Sequence, residues 1–206
     1  MRLTIFAASG ATGGELTRQA LERGHIVTAI ARDPRRVIAP QSAALTCVAA
    51  DVWDADSIRR ALGEGAFVLS GLGVTDRERV GLLAAGARAV LAALPQRVIW
   101  LGALGSGASA GAAGGPTRAL LSLMGDRLKD KVAADTLVLG AGGTVFHAGP
   151  LSSAPLSIAR RTVALDAVPR RFFPARVSRA TVAAAMLDEA ESPQFIGKTA
   201  IPLQRG

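Results

Sequence analysis

Short apolar runs alternate with helical patterns along the whole chain. Leu3–Ala8 is one such run, and a glycine turn at Gly10–Gly14 follows it. From Glu15 to Arg23, Leu16, Ala20 and Leu21 share a helical face, and Gly24 ends the pattern. The same reasoning predicts strands at His25–Ala31, Ala44–Ala49, Ala66–Ser70, Arg97–Leu101 and Thr144–His147, with Gly197–Leu203 closing the sheet. Helices are predicted at Ala55–Leu62 behind an Asp54 cap, and at Asp76–Leu94 before Pro95. Two more are predicted at Thr117–Leu139, broken at Gly125, and at Ser178–Glu191 behind a Ser178 cap. Two stretches carry neither period. Gly102–Pro116 is almost pure Gly, Ala and Ser and reads as a flexible loop; Gly149–Ala175 is mixed and proline-rich. Long loops in a compact domain usually serve a ligand, so both read as walls of a substrate cleft.

Strands alternating with helices predict an α/β protein built on a doubly wound parallel sheet. The 206 residues read as one domain, residues 1–206, with a small C-terminal substrate-side region. Hydrophobic residues make up 50% and charged residues 19%, with mean hydropathy +0.32, which excludes a disordered chain. No apolar stretch is long enough to predict a membrane helix or a secretory signal, so a soluble, cytoplasmic protein is expected. The lone Cys47 excludes a disulfide framework and a multi-cysteine zinc site, and reads as packing on a buried strand. Net charge is +8, yet the arginines are scattered and aromatics are only 4%, too few for base-stacking platforms. An anionic small molecule suits this pattern better than nucleic acid. Oligomeric state is not legible.

The glycine turn carries the chemistry. A strand, a glycine turn and a helix form the setting of a dinucleotide fingerprint. In the spacing G-x-x-G-x-x-G the three positions are Ala7, Gly10 and Gly13, with alanine in the first place. Gly10 lets backbone approach a pyrophosphate, and Gly13 allows close helix–strand packing. The N-terminus of the helix that follows offers free N–H groups and a positive dipole end, to which Ser9 and Thr12 add hydroxyls, with Ala11 between them in the turn. An NAD site usually places an acidic residue at the end of the second strand. Here Arg32 stands there, followed by Asp33, Arg35 and Arg36. A guanidinium forks onto a 2′-phosphate that a carboxylate would repel, so NADP(H) is the expected cofactor, with Arg32 and Arg36 as its partners.

Ala8-Ser9-Gly10-Ala11-Thr12-Gly13, Gly24-His25-Ile26-Val27-Thr28-Ala29 and Arg32-Asp33-Pro34 together resemble the atypical short-chain dehydrogenase/reductases. The resemblance is narrower to the NAD(P)H-binding branch that holds NmrA-like proteins and flavin/biliverdin-IXβ reductases. It implies a Rossmann fold and extends over nearly the whole chain. It implies that Asp51 and Val52 meet the adenine, that Gly71, Leu72 and Gly73 run past the riboses, and that Gly102 and Ala103 border the cofactor. It also implies that His147-Ala148-Gly149-Pro150-Leu151 stands beside the nicotinamide, with His in the usual place of Arg.

One departure is decisive for mechanism. The wider superfamily uses a Tyr-x-x-x-Lys pair and a serine near the fifth strand's end, the tyrosine passing a proton to a carbonyl oxygen. This chain has no tyrosine; Arg127 and Gly125 stand four before Lys131 and Lys129, and the fifth strand ends Leu101-Gly102-Ala103 with no serine after it until Ser106. Ordinary carbonyl reduction by that machinery is disfavoured. Hydride transfer itself needs no protein nucleophile, and flavins, quinones or conjugated tetrapyrroles need little acid assistance. The expectation is an NADPH-dependent reductase of a conjugated small-molecule acceptor. The alternative is a non-catalytic NADP(H)-sensing regulator of the NmrA-like type. A polyketide-tailoring role is a third reading, and a nucleotide-sugar epimerase would need the absent tyrosine. His147 is the candidate catalytic acid, weighed against a structural histidine at a strand end. Ser106 and Ser109 read as substrate contacts or loop solvation, Lys129 and Lys131 as ribose contacts or surface charges. Trp53 and Trp100 read as core or subunit contacts.

Overall fold

A computed structural model of the chain describes residues 1–63, 65–74, 79–169 and 174–204. Its centre is an eight-stranded sheet. In chain order the strands are β1 (Arg2–Phe6), β2 (Ile26–Ala31), β3 (Leu45–Ala49), β4 (Phe67–Ser70), β5 (Arg97–Ala103), β6 (Thr144–Ala148), β8 (Arg160–Ala164) and β10 (Thr199–Gln204). Across the sheet the order is β3-β2-β1-β4-β5-β6-β10-β8. Every pair is parallel except β10 with β8. Two short strands, β7 (Leu151–Ser152) and β9 (Val177–Ser178), pair separately in parallel.

The helices cover both faces, as the doubly wound reading requires. On one face α1 (Ala11–Glu22) packs beside α6 (Arg179–Glu191) over Leu3, Ile5, Ile99, Leu101 and Phe146. On the other, α2 (Ala55–Leu62), α3 (Leu82–Ala92) and α5 (Asp126–Gly140) cover Phe6, Val68, Trp100 and Val145. Alternation within one strand sorts these residues: Val145 faces one layer and Phe146 the other. The predicted caps form. Asp54 accepts from Ser57 N–H and Ser178 from Thr181 N–H, while Gly24 turns the chain out of α1 with φ +78°. α3 and α5 are tied at one end, because the buried Asp130 carboxylate accepts the N–H groups of Leu83 and Ala84 at 3.0 and 2.9 Å. No helix among the described residues is long and apolar enough to cross a membrane.

Four expectations change. Gly102–Pro116 is not an unstructured loop: β5 runs on to Ala103, a 3-10 turn spans Gly107–Ala112, and α4 covers Gly115–Ser122. Serine hydroxyls hold this segment by bonding its own backbone, which composition conceals. The helix read from Asp76 begins at Leu82, after Gly81 at φ +94°; residues 75–78 lie outside the described residues. Gly197–Leu203 corresponds to β10, but it does not close the sheet, since β8 pairs antiparallel on its far side. Cys47 is exposed rather than packed, in β3 at the edge of the sheet. Of the tryptophans, Trp100 is core, whereas Trp53 is half exposed with the Arg79 guanidinium stacked 4.6 Å from its ring centre.

Candidate cofactor cleft

The sheet order reverses direction between β1 and β4, and a cleft of about 830 Å³ opens at the carboxyl ends of the strands there. That is the place where open α/β sheets bind ligands. Its floor is the turn from β1 into α1. Ser9, Gly10, Ala11 and Thr12 line it, and Gly71, Leu72 and Gly73 line the opposite side after β4.

Steric contact explains the glycines. A Cβ on Gly13 would lie 2.1 Å from the Ala7 carbonyl oxygen, far inside contact distance. A Cβ on Gly71 would lie 2.7 Å from the Gly13 nitrogen. Three backbone segments therefore meet where only hydrogen fits. Gly13 packs helix to strand, as its place in the motif predicts, and does not itself line the cleft. The first-turn amides of α1 have no partner within the helix. Among the described residues no side chain caps them, and no acidic residue lies in that turn. The positive helix end thus faces the cleft, and an anion there is stabilised. Ala7, which replaces the first glycine, adopts φ +60°. The backbone keeps a glycine conformation although the glycine is gone.

At the end of β2 the arginines divide. Asp33 caps the following 3-10 turn and binds Arg35, with Nε–Oδ1 3.0 Å. That hydrogen bond holds the Asp33 carboxyl below its ordinary pKa. Arg32 and Arg36 both line the cleft. The acidic residue beside Arg32 is thereby occupied with its neighbour. Among the described residues that line the cleft none is acidic, histidine or lysine. The walls beyond are apolar, with Ile30, Val52, Leu72, Leu82, Leu101 and Leu151. A cationic end, exposed amides at a glycine turn and flat apolar walls fit a phosphorylated dinucleotide.

Asp51, Gly102, Ala103 and His147 are not among the described residues that line the cleft. The Asp51 carboxylate accepts the Trp53 N–H at 2.9 Å and makes a turn, leaving Val52 to line the cleft. Gly102 faces away from the cleft. A Cβ there would lie 2.6 Å from His147 Cδ2 and 2.9 Å from Asp135 Oδ2, so the glycine makes room for those two side chains. The Ala103 carbonyl accepts the Ser106 hydroxyl at 2.8 Å.

His147 is fully buried and does not line the cleft. Its Nδ1 lies 2.6 Å from Ser109 Oγ and its Nε2 3.0 Å from Asp135 Oδ2. The Gly105 N–H donates to Ser109 Oγ at 2.8 Å. Both ring nitrogens are thus engaged, Nε2 with the carboxylate and Nδ1 with the Ser109 hydroxyl, which also lies 3.1 Å from the Ser106 carbonyl. Asp135 Oδ1 is buried and has no hydrogen-bond partner among the described residues. The expected catalytic acid therefore appears as a brace, because alternation along β6 points His147 at α5. Ser106 and Ser109 are buried with it rather than solvating a loop. Lys131, one helical turn before Asp135, is half-buried; burial pushes its ammonium down against the pull of Asp135 and Asp130. Lys129 is a surface charge paired with Asp126.

Arg179 is a cleft residue that sequence reasoning did not single out. It belongs to the first turn of α6, and its sequence signals were the Ser178 cap beside it and the likeness of Val177-Ser178-Arg179-Ala180 to the family's C-terminal segment.

These features define a nucleotide-binding α/β protein of the doubly wound class. Residues 7–193 match the NAD(P)H-binding family, and the chain belongs to it. That membership bears out the resemblance carried by the glycine turn and the second strand. The structure is similar to an oxidoreductase of Lactococcus lactis, with TM-score 0.80 and 19% identity over 100% of this chain and 91% of that one. It is similar to a Veillonella parvula short-chain dehydrogenase/reductase in complex with NADP, with TM-score 0.80 and 17% identity over 100% and 95% of the two chains. It is also similar to an anaerobilin reductase of Escherichia coli, with TM-score 0.77 and 18% identity over 99% and 97%. At these identities the likeness carries the fold. No curated protein sequence matches the chain.

Proposed function

We propose that the protein is an NADPH-dependent reductase that delivers hydride to a conjugated acceptor such as a flavin or quinone. The observation that carries this reading is the pair of guanidiniums, Arg32 and Arg36, that line the cleft where β2 ends. A 2′-phosphate forks onto such a pair, and a charge-assisted bond of this kind contributes about 1.5–3 kcal/mol. The glycine turn and the first-turn amides of α1 would hold the pyrophosphate. Val52 and Ile30 would bound the adenine side, and Leu101 and Leu151 the nicotinamide side. A similar fold occurs with NADP in the Veillonella protein and in a reductase of a conjugated tetrapyrrole.

The bound dihydronicotinamide supplies the hydride. This chain's residues bind, orient and exclude water; they offer no proton donor of the Tyr-Lys kind. The accompanying proton comes from solvent, which suffices for an acceptor that delocalises the added charge. The test is loss of reduced-nicotinamide absorbance with FMN, riboflavin and a simple quinone, run with NADPH and with NADH. Acceptor-dependent oxidation preferring NADPH is expected. Equal rates with NADH would remove the 2′-phosphate reading.

One observation favours a second reading, a dinucleotide-sensing regulator. Among the described residues that line the cleft, none is a histidine, a carboxylic acid or a lysine. If NADPH raises the melting temperature while no acceptor is reduced, this second reading replaces the first.

A further inference from the structure

We propose that Trp53 is a positioning residue for the dinucleotide: it clamps the turn after β3 to the start of α3 and so sets the width of the adenine end of the cleft. The inference rests on the cofactor reading and deepens it. Val52 and Leu82 both line the cleft. They belong to different segments, one between β3 and α2, the other opening α3. Each stands one position from the clamp, Val52 beside Trp53 and Leu82 beside Gly81. A Cβ on Gly81 would lie 3.6 Å from Trp53 Cη2, so the indole rests on that glycine. Arg79, two positions before Gly81, lays its guanidinium over the same ring.

Both sides of this contact are held. The Trp53 N–H donates to Asp51 Oδ1, and the Asp54 N–H donates to the Asp51 carbonyl at 3.0 Å. The Ser57 hydroxyl ties the same turn to α2 by donating to the Asp54 carbonyl at 2.8 Å. On the opposite side, Asp130 anchors the first turn of α3 through the Leu83 and Ala84 N–H groups. One turn farther along α3, a Cβ on Gly86 would lie 2.7 Å from Leu72 Cδ2 and 3.4 Å from Val52 Cγ1. The helix therefore packs directly on the cleft wall, and a shift of its start moves Leu82 relative to Val52. Trp53 itself is 45% exposed and belongs to neither hydrophobic cluster of the sheet. A ring left half in water contributes little to the fold, because that contribution follows the apolar area buried. Its place across two cleft walls gives it leverage on the ligand instead.

Adenosine 2′,5′-bisphosphate serves as the probe of the adenine half, and NADPH as the probe of the whole dinucleotide. Calorimetry gives both affinities for wild type, Trp53→Ala, Trp53→Phe, Arg79→Gln and Trp53→Ala combined with Arg79→Gln. Trp53→Ala should weaken both ligands by the same factor, roughly three- to ten-fold, the scale of an aromatic contact. Its melting temperature should stay close to that of wild type. Trp53→Phe should restore most of the lost affinity. Arg79→Gln alone should weaken both ligands roughly two- to four-fold, the scale of an exposed cation–π contact. Added to Trp53→Ala it should weaken them no further, because the two side chains act as one unit. Unchanged affinities in Trp53→Ala would overturn the clamp, as would a loss that Trp53→Phe fails to restore. A larger loss for NADPH than for the bisphosphate would overturn it by spreading the effect beyond the adenine half. Additive losses would overturn it by assigning Arg79 to the ligand itself, and an unfolded Trp53→Ala by making the ring a core residue. Wild type that binds neither ligand would defeat the underlying cofactor reading first, and the clamp with it.

Discussion

The two ends of the cleft are built in different ways. One end comes from a single stretch, Phe6 to Arg36, that folds as strand, turn, helix and strand. The other comes from Leu101 and Leu151, which belong to separate segments brought together by the sheet. The first end depends on backbone: glycines, helix amides and one positive φ. The second depends on side chains held by other side chains. A local end tolerates little backbone change but is specified by a short motif. A distributed end leaves room for acceptor diversity on a constant cofactor platform.

The largest effect should come from the local end. Gly13→Ala places a Cβ 2.1 Å from the Ala7 carbonyl, against backbone that cannot swing aside. Overpacking of this kind costs on the order of 3 kcal/mol. Urea denaturation should show that loss, and NADPH and NADH should be bound equally poorly. A variant with wild-type stability and affinity would mean that helix and strand separate easily, contrary to the packing described.

His147→Ala tests a brace outside the cleft that is likewise built from side chains of separate segments. It removes a buried ring and strips hydrogen-bond partners from Ser109 and Asp135. The expected cost is about 2–4 kcal/mol, from cavity and unsatisfied groups together. The 105–112 segment should exchange its amide hydrogens faster, while NADPH affinity changes little. Retained stability with abolished hydride transfer would instead return His147 to the role of proton donor.

The contrast also explains what could be read before folding. The strand–helix alternation, the Asp54 and Ser178 caps and the glycine turn are written in neighbouring residues, so periodicity and turn chemistry expose them. The pairing of Asp33 with Arg35, which leaves Arg32 and Arg36 as the cleft's arginines at that end, is local too but was not legible. It depends on which way two side chains turn. The Ser109–His147–Asp135 chain joins residues of a turn, a strand and a helix. Sequence could nominate His147, but not its direction: one step along β6 exchanges the layer it faces. The antiparallel β8 was hidden for a related reason. Its residues are only partly buried and carry no strong apolar alternation.

Arg32→Glu has a smaller effect, confined to the cofactor's identity. A carboxylate there would repel a 2′-phosphate and accept a ribose hydroxyl. NADPH binding should weaken by about 1–3 kcal/mol, with NADH changing much less. Calorimetry with the two cofactors measures the difference. Equal losses would place Arg32 away from the 2′-position.

The smallest effect is expected at Ala7, and it bears on why the local end is a backbone site. Ala7 sits at φ +60°, where a side chain costs roughly 1 kcal/mol and glycine costs nothing. Ala7→Gly relieves that strain but also frees the unfolded chain, which returns part of the gain. The net stabilisation should be about 0.5 kcal/mol, a rise of roughly 1–2 °C in melting temperature for a chain of this size. NADPH affinity should hold, because the turn already has the shape glycine would give it. A fall in stability would mean that the alanine methyl makes compensating contacts with the turn. A rise in NADPH affinity alongside stability would mean that the strained residue holds the turn slightly open, and that the platform trades binding for it.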